Sequence, residues 1–168
     1  MAASSAQPDA VDTASHAQRK LQIEEEEKRV RFASFSLRDA LAIGQDLLSR
    51  SPAPLAVGVR IADRVLFAGL ADGASLEQQA LVSLKLNTVM RYSHSSLWWF
   101  HHLRTQGRTS PLDVPWLNPR RCTHFGGGFP LTIGGQVVGG VAVSGLPHEE
   151  DHALVVQALE GHLRRTGG

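Results

Sequence analysis

Residues 126–152, GGGFPLTIGGQVVGGVAVSGLPHEEDH, carry the clearest fold signal in this chain. Two apolar runs rich in β-branched residues, 129–133 and 136–143, are separated only by Gly134 and Gly135. Adjacent glycines supply the positive φ angles that a two-residue hairpin turn requires. The stretch therefore predicts two antiparallel strands, and the other elements are assigned outward from this hairpin.

A helix is predicted directly after the hairpin. The turn at 144–147, Ser-Gly-Leu-Pro, separates the second strand from a helical pattern over about His148 to Arg164. Three carboxylates at 149–151 crowd the first turn of this helix, and Arg164 and Arg165 lie at its end. Both placements complement the helix dipole, so the two boundaries are well defined.

The remaining elements follow from periodicity and turn residues. They are a charged helix over 18–31, an amphipathic helix that Ser36 caps and that stops before Ser51-Pro52, strands 55–61 and 65–70, helices 75–93 and 97–104, and a short strand 122–125. Two hairpins without an alternating strand–helix–strand order predict an α/β protein of the α+β type, with one antiparallel sheet of about five strands flanked by helices. Residues 1–17 are expected to be a disordered tail, and 18–168 a single domain.

Composition excludes several classes of function. The formal net charge of +1 over 168 residues offers no strong field for nucleic acid or an anionic membrane. No apolar run approaches the roughly 18 residues of a membrane span, and the N-terminus lacks a signal-peptide pattern. One cysteine, Cys122, cannot form an internal disulfide, which suits a reducing compartment. We expect a cytoplasmic protein.

Three histidines are the leading candidates for a site. His152 lies on the apolar stripe of the last helix, His124 precedes the glycine cluster, and His94 follows the long helix. Each has a structural alternative, as a core residue with one hydrogen bond or as part of a turn. Because an antiparallel hairpin returns to its starting edge, we predict that all three meet at one polar site.

Other features allow two interpretations each. The acidic run 24–27 is interpreted as an exposed helix face, with a metal or partner site as the alternative. Lys85 interrupts an apolar stripe, where it either extends to solvent or serves as a pocket cation. The glycines at 126–128 indicate tight turns or a backbone left bare for a ligand. Cys122 is expected to be a structural thiol.

Large apolar residues on one short helix predict self-association. Leu97 to Phe100 form a block that a monomer is not expected to bury on one face, so an obligate homo-oligomer is predicted. His101 and His102 lie beside Trp98 on the same helix. Such a surface suits a flat tetrapyrrole or a subunit interface, and we favour the interface.

Several motifs together resemble a known family. They are Lys85, the run RYSHSS at 91–96, HFGGG at 124–128, and VAVSGLPHEEDH at 141–152. Over about residues 32–163 the chain resembles uncharacterised protein family 0303, within the haem-degrading-domain superfamily of GlcG-like and HbpS-like proteins. Tyr92 stands where the family is expected to have phenylalanine.

The resemblance implies a profilin-like sheet, assembly into dimers or larger rings, and haem or another tetrapyrrole as a ligand. It implies no metal site and no settled catalytic residue. The ligand-binding residues that it carries over are Lys85, Arg91, His94, Ser95, Ser96, His124, Gly126, Gly127, Ser144, Gly145, Glu150, Asp151 and His152.

Three hypotheses for function result. The first is a small-ligand-binding protein that takes haem, without enzymatic activity or with a weak haem-degrading one. The second is an oligomeric scaffold in which the same residues join subunits. The third, an enzyme that uses His152 with Glu150 or Asp151, lacks a placed nucleophile.

Overall fold

The computed structural model describes residues 12–167. Its helices and strands, in chain order, are α1 Thr13–Arg29, α2 Leu37–Arg50, β1 Ala56–Ile61, β2 Arg64–Leu70, α3 Leu76–Tyr92, α4 Ser96–Thr105, β3 Gly128–Ile133, β4 Gln136–Ser144 and α5 His148–Thr166. A single turn of 3₁₀ helix, Pro111–Asp113, follows α4. Within 12–167, no helix combines the length and apolar character needed to cross a bilayer.

The four strands form one antiparallel sheet in the order β2-β1-β4-β3. The predicted hairpin at the glycine pair is confirmed, since Ile133 pairs with Gln136 and both glycines between them have positive φ, 57° and 79°. The first hairpin turns at Ala62-Asp63, as predicted, with Ala62 in the left-handed region at a φ of 48°. The α+β class and the antiparallel sheet are thereby confirmed.

The prediction of five strands is wrong, because residues 122–125 are not a strand. Their backbone groups bond to side chains and to the preceding turn instead of to a neighbouring strand. The hydroxyl of Thr88 on α3 accepts a hydrogen bond from the Thr123 amide (3.0 Å) and donates one to the Thr123 carbonyl (2.7 Å). A backbone segment whose groups are satisfied in this way has no need of a sheet ladder.

The sheet separates two layers of helices. On one face, α2 and α5 cover a core that includes Ile43, Val59, Phe129 and Leu159, all fully buried. On the other face α3 packs closely against β1 and β4, where small residues alternate with the large ones of the core. Gly58 shows the need for small residues, since a Cβ there would lie 2.6 Å from a methyl group of Val82.

Helix α1 corrects two predictions. It packs along α4 instead of standing in solvent, and it begins at Thr13 instead of residue 18. The part of the predicted tail from residue 13 to 17 is therefore helical, while residues 1–11 lie outside the described residues. The Asp12 side chain caps the helix by accepting a hydrogen bond from the Ser15 amide (3.1 Å). The assignment of 18–168 as a single domain stays a prediction.

The apolar block on α4 is covered within one chain. Leu97 is fully buried. Trp99 is 6% exposed and lies in a cluster with Leu103, Val114 and Leu117. Trp98 is half-buried against α1. A single chain therefore buries most of this block, and the expectation that a monomer could not is wrong. Homo-oligomerisation stays a prediction that needs other support.

Gly139 tests the tight pairing of β4 with β1. A Cβ at this position would collide with the main-chain carbonyl of Arg60, which cannot move aside as a side chain could. We expect Gly139→Ala to lower the free energy of unfolding by about 3 kcal/mol, measured by urea denaturation. Gly134→Ala is the control, because its Cβ would meet nothing within 4 Å and only the left-handed φ of 57° would cost about 1 kcal/mol. Equal losses in the two variants would contradict this account of the sheet.

Candidate functional site

Lys85 and Asp151 form a buried ion pair between α3 and α5. The Lys85 ammonium lies 3.0 Å from a carboxylate oxygen of Asp151 and donates a 2.7 Å hydrogen bond to the carbonyl of Val143. The two residues are each 2% exposed. Burial lowers the pKa of Lys85 and raises the pKa of Asp151, and the attraction between the two charges opposes both shifts. Lys85 is thus neither extended to solvent nor free for an anionic ligand.

Glycines allow the surrounding backbone to close on this pair. Gly127 has a φ of 121°, and a Cβ there would lie 2.6 Å from the Val143 carbonyl and 2.9 Å from the Lys85 nitrogen. A Cβ at Gly145 would likewise lie 2.7 Å from the carbonyl of Pro54. The second oxygen of Asp151 accepts a hydrogen bond from the Leu146 amide (3.0 Å). With buried Ser144 beside them, these predicted site residues form a packed junction that the polar contacts of Lys85 and Asp151 hold together.

Carboxylates of α1 bind the next group of predicted residues. Glu27 contacts Nδ1 of His94 (2.7 Å) and accepts a hydrogen bond from the Ser95 amide (2.7 Å). Glu26 lies 2.6 Å from Nε2 of His152, a side chain that is 1% exposed. The interpretation of the acidic run as an exposed face is therefore wrong for these two residues.

Glu24 and Glu25 of the acidic run differ in their surroundings. Glu24 accepts a hydrogen bond from the indole of Trp98 (2.8 Å), so it also faces α4. Glu25 alone fits the exposed-face interpretation, because it pairs with Lys28 one turn on and both side chains are more than half exposed. Three of the four carboxylates thus satisfy polar groups of α4, α5 and the turn before α4.

A further chain of polar contacts joins α1 to the start of α5. Arg19 contacts both Glu26 (3.2 Å) and Glu149 (3.1 Å), and Glu149 in turn contacts Nε2 of His101 (3.0 Å). The hydrogen bond from His101, with a second from Arg19, lowers the pKa of Glu149 to about 2, although burial opposes this. His101 therefore belongs to an intrachain network, and the sequence offered no signal for its distant partners.

His124 lies in an aromatic cluster instead of a polar one. Its ring stacks on Phe100 and on Phe125, at centroid distances of 5.4 and 4.7 Å. Its Nδ1 is buried and has no hydrogen-bond partner among the described residues. Burial, with smaller contributions from nearby Arg104 and His148, lowers the pKa of His124 to about 4. The imidazole is therefore neutral at physiological pH.

Two other predicted residues hold the loop before β3. Gly126 donates its amide hydrogen to Nδ1 of His148 (3.2 Å), and the hydroxyl of Ser96 accepts a hydrogen bond from the Gly128 amide (2.9 Å). The Ser95 hydroxyl caps α4 by accepting a hydrogen bond from the Trp98 amide. These contacts are those of turn and cap residues, which was the structural alternative for this segment.

The three histidines do not share a cavity. His94 and His152 are both held by carboxylates of α1, whereas His124 lies among phenylalanines. His152 is buried in the core side of α5. Arg91 and Glu150 are exposed, and neither contacts the histidines. The prediction of one site containing all three rings is wrong, because the sheet-end argument places backbones without deciding side-chain directions.

One of the three, His94, lines an open groove. This cavity of about 620 Å³, here called the hairpin groove, lies between the end of α1, the α3–α4 junction and the β3–β4 hairpin. Ser93 ends α3 with a left-handed φ of 56°, which turns the chain toward α1. The His94 ring is 34% exposed and stacks on Trp98 at 3.9 Å. The wall of the hairpin groove also contains Lys28 and Arg31, two residues that were not predicted from the sequence as part of a site.

Comparisons with known proteins identify the family. The model for haem degrading protein HbpS-like matches residues 35–160, so the chain belongs to this family. A UPF0303 protein of Streptomyces avermitilis is 38% identical over 86% of this chain and 90% of its own length. One from Brucella anthropi is 33% identical over 84% and 86%. The predicted family relationship is confirmed.

Solved structures show the same fold at lower identity. The Ybr137w protein superposes with a TM-score of 0.80 at 21% identity, covering 90% of this chain and 94% of its own. A structure described as a PduOC:Heme complex gives 0.64 at 19% identity, over 77% and 94%. HbpS gives 0.62 at 19% identity, over 79% and 92%. At these identities the likeness concerns the fold.

The hairpin groove has residues that fit a haem group. Imidazole is a common axial ligand of haem iron, and a ligating histidine typically donates its other ring N–H to a carboxylate. Glu27 contacts Nδ1 of His94, which leaves Nε2 as the free nitrogen. Nε2 has no hydrogen-bond partner within residues 12–167. The lysine and arginine of the groove suit propionate groups.

Replacing only one member of the Lys85–Asp151 pair is expected to destabilise the fold strongly. Lys85→Met should lower the free energy of unfolding by about 3–5 kcal/mol, because it leaves the buried carboxylate without its countercharge. Adding Asp151→Asn should restore part of this loss, since the amide is neutral and its oxygen still accepts from Leu146. Urea denaturation measures both variants. A double variant less stable than the single one would contradict the assigned role.

Protonation of His124 is expected to destabilise the fold. With a pKa of about 4 in the folded chain and about 6.5 unfolded, the unfolded state binds more protons between these values, so stability falls as pH drops. Protonation of His124 should contribute a loss of about 2 kcal/mol from pH 7 to 5. His124→Phe should remove this contribution and leave the one from His148, whose pKa burial also lowers. Urea denaturation at the two pH values measures this. Phe125→Leu, which perturbs the same cluster and keeps the imidazole, should retain the pH dependence.

Proposed function

We propose that this chain binds haem or a closely related tetrapyrrole in the hairpin groove, with Nε2 of His94 as the iron ligand. The observation that carries the proposal is the 2.7 Å contact between Glu27 and Nδ1 of His94 beside an open cavity. A carboxylate in this position fixes the ring orientation and increases the basicity of the opposite nitrogen. The histidine is thus prepared for a metal before any ligand arrives.

Packing around His94 supports the same role. Trp98 lies parallel to the imidazole at 11°, and Glu24 holds the indole from the other end through its N–H. A ring clamped between an aromatic face and a carboxylate loses little further conformational freedom on binding. The histidine is therefore better preorganised than its partial exposure alone would indicate.

Size and charge of the groove also suit the ligand. Its volume of about 620 Å³ falls within the roughly 300–1,000 Å³ of small-molecule sites. Lys28 and Arg31 lie on its α1 side, where they can pair with carboxylates, and Pro130 and Val137 supply apolar surface on the hairpin side. An amphiphilic dianion such as haem matches this division.

The family supports the class of ligand. The chain belongs to the HbpS-like haem-degrading family, and one protein with the same fold is described in complex with haem. Haem, when bound, would supply an iron centre, while the residues named here hold and orient it. We assign binding as the function and no degradation reaction, since Glu24 and Glu27, the carboxylates that line the groove, are already engaged with Trp98 and His94.

The scaffold alternative has less support. A scaffold would pack the α4 block against a copy of itself, but Leu97 and Trp99 are buried within one chain. We keep homo-oligomerisation, and a cytoplasmic location, as proposals of their own. Light scattering at micromolar concentration tests the first directly, independently of haem.

A haemin titration followed by absorbance tests the proposed function. His94→Ala should abolish the Soret shift that the unaltered protein gives, and Glu27→Gln should weaken binding about tenfold or more, because the histidine loses its orienting carboxylate. Circular dichroism on each variant confirms that the fold is kept.

His102→Gln is the matched control. His102 stacks on Trp98 at 4.6 Å but does not line the groove, so its variant should bind haemin as the unaltered protein does. Unchanged haemin binding by folded His94→Ala would refute the assigned ligand. Equal loss in both variants would show that the aromatic stack, and not the imidazole, governs binding.

A further inference from the structure

A second pocket lies apart from the hairpin groove and shares no lining residue with it. This cavity of about 530 Å³, here called the arginine pocket, opens between the β1–β2 turn, the end of α3 and the loop 116–122. Met90, Leu117 and Cys122 give it an apolar floor. Its volume is also in the range of small-molecule sites. The haem proposal does not use it.

Three arginines from different parts of the fold line the arginine pocket. They are Arg60 on β1, Arg91 on α3 and Arg121 in the loop, and Asp63 is the one acidic residue in the lining. Within residues 12–167, none of the three guanidinium groups forms an ion pair. Like charges around one cavity repel each other, so an anion placed between them would be stabilised by all three.

Arg60 adds a specific need for an acceptor. Its Nε is buried and has no hydrogen-bond partner in the described part of the chain. An unsatisfied buried donor costs about 1–3 kcal/mol. The register between β1 and β2 shifts opposite Arg60, where Leu66 is the extra residue of a bulge on β2. An anion in the pocket would supply the acceptor that the Arg60 donor lacks.

Trp116 provides a flat surface at the same pocket. The residue is 67% exposed, which is unusual for the largest aromatic side chain. An exposed indole beside guanidinium groups suits a ligand with both an aromatic ring and a negative charge, because rings stack on the indole face and oxyanions bind the guanidinium fork. Neither feature alone selects such a ligand.

We propose that the arginine pocket binds a small planar anion. Its aromatic ring would stack on Trp116, and its phosphate or carboxylate groups would accept hydrogen bonds from Arg60, Arg91 and Arg121. Nucleotides and aromatic carboxylates share this chemistry. The arginine pocket would be a second ligand site at another position in the fold. It would bind its ligand through arginines and a tryptophan, without a metal ion.

Calorimetric titration of the full chain tests the proposal and separates the two sources of anion. The probes are ADP, naphthalene-2,6-dicarboxylate, adenosine and inorganic phosphate. We expect one of the two ring-bearing anions to bind more tightly than adenosine or phosphate, and the affinity to fall with added salt. Arg91→Gln and Arg121→Gln should each weaken that binding about tenfold. Trp116→Leu should weaken the ring-bearing probe and leave phosphate unchanged.

Arg120→Gln is the control, since this exposed arginine adjoins Arg121 in sequence but does not line the pocket. It should bind the probes as the unaltered chain does. No heat from either ring-bearing anion at millimolar concentration would overturn the proposal, as would equal weakening by Arg120→Gln. Dissociation of an oligomer by Arg91→Gln would also overturn it, because the pocket would then be an interface between copies.

Haemin binding by the same variants keeps this proposal distinct from the haem proposal. Arg91→Gln and Arg121→Gln should leave the Soret titration unchanged, and His94→Ala should leave the anion titration unchanged. If haemin instead requires the two arginines and not His94, the pocket is the haem site and both assignments fail together. If the unaltered chain binds haemin but neither ring-bearing anion, only the arginine-pocket proposal fails. If it binds an anion but not haemin, only the haem proposal fails.

Discussion

Lys85 carries its charge into the interior between α3 and α5, and the centre of the molecule is arranged around that charge. A buried ammonium is tolerated when a countercharge and hydrogen-bond acceptors offset its desolvation, and Asp151 with the Val143 carbonyl provides both. Gly127 must lack a side chain for this approach, and the Asp151 carboxylate also binds the turn that starts α5. One contact thus positions a helix start, a strand end and the loop before β3.

Helix α1 provides hydrogen-bond partners for partly buried polar groups near the surface of the domain. Its carboxylates satisfy His94, Trp98 and His152, groups that would otherwise be partly buried without partners. The helix lies outside residues 35–160 that match the family, yet it supplies Glu27, Lys28 and the neighbouring Arg31 to the hairpin groove. The groove is therefore a joint product of the family domain and the preceding segment. Changes in α1 alone can alter what the groove binds.

The hairpin groove and the arginine pocket differ in chemistry because they differ in countercharge. At the groove, Glu27 already orients an imidazole through Nδ1, so the other nitrogen suits a metal centre. At the pocket, three guanidinium groups have no carboxylate partner among the described residues, so an anionic ligand has to supply it. The distinction follows from which cations the fold leaves without partners.

Local sequence determined the hairpins, the helix caps and the family, because turn glycines, the Ser36 cap and the motif at 141–152 act over a few residues. The tertiary structure decided which side chains and backbone groups that are distant in sequence contact each other. Residues 122–125 do not form a strand, because the Thr88 hydroxyl on α3 binds the backbone of Thr123. Glu26 and Glu27 of the acidic run contact imidazoles that are distant in sequence. The three histidines lie in different surroundings instead of at one site. The first two of these outcomes depend on partners more than 30 residues away, and the desolvation of polar groups, which selects such partners, has no local signature.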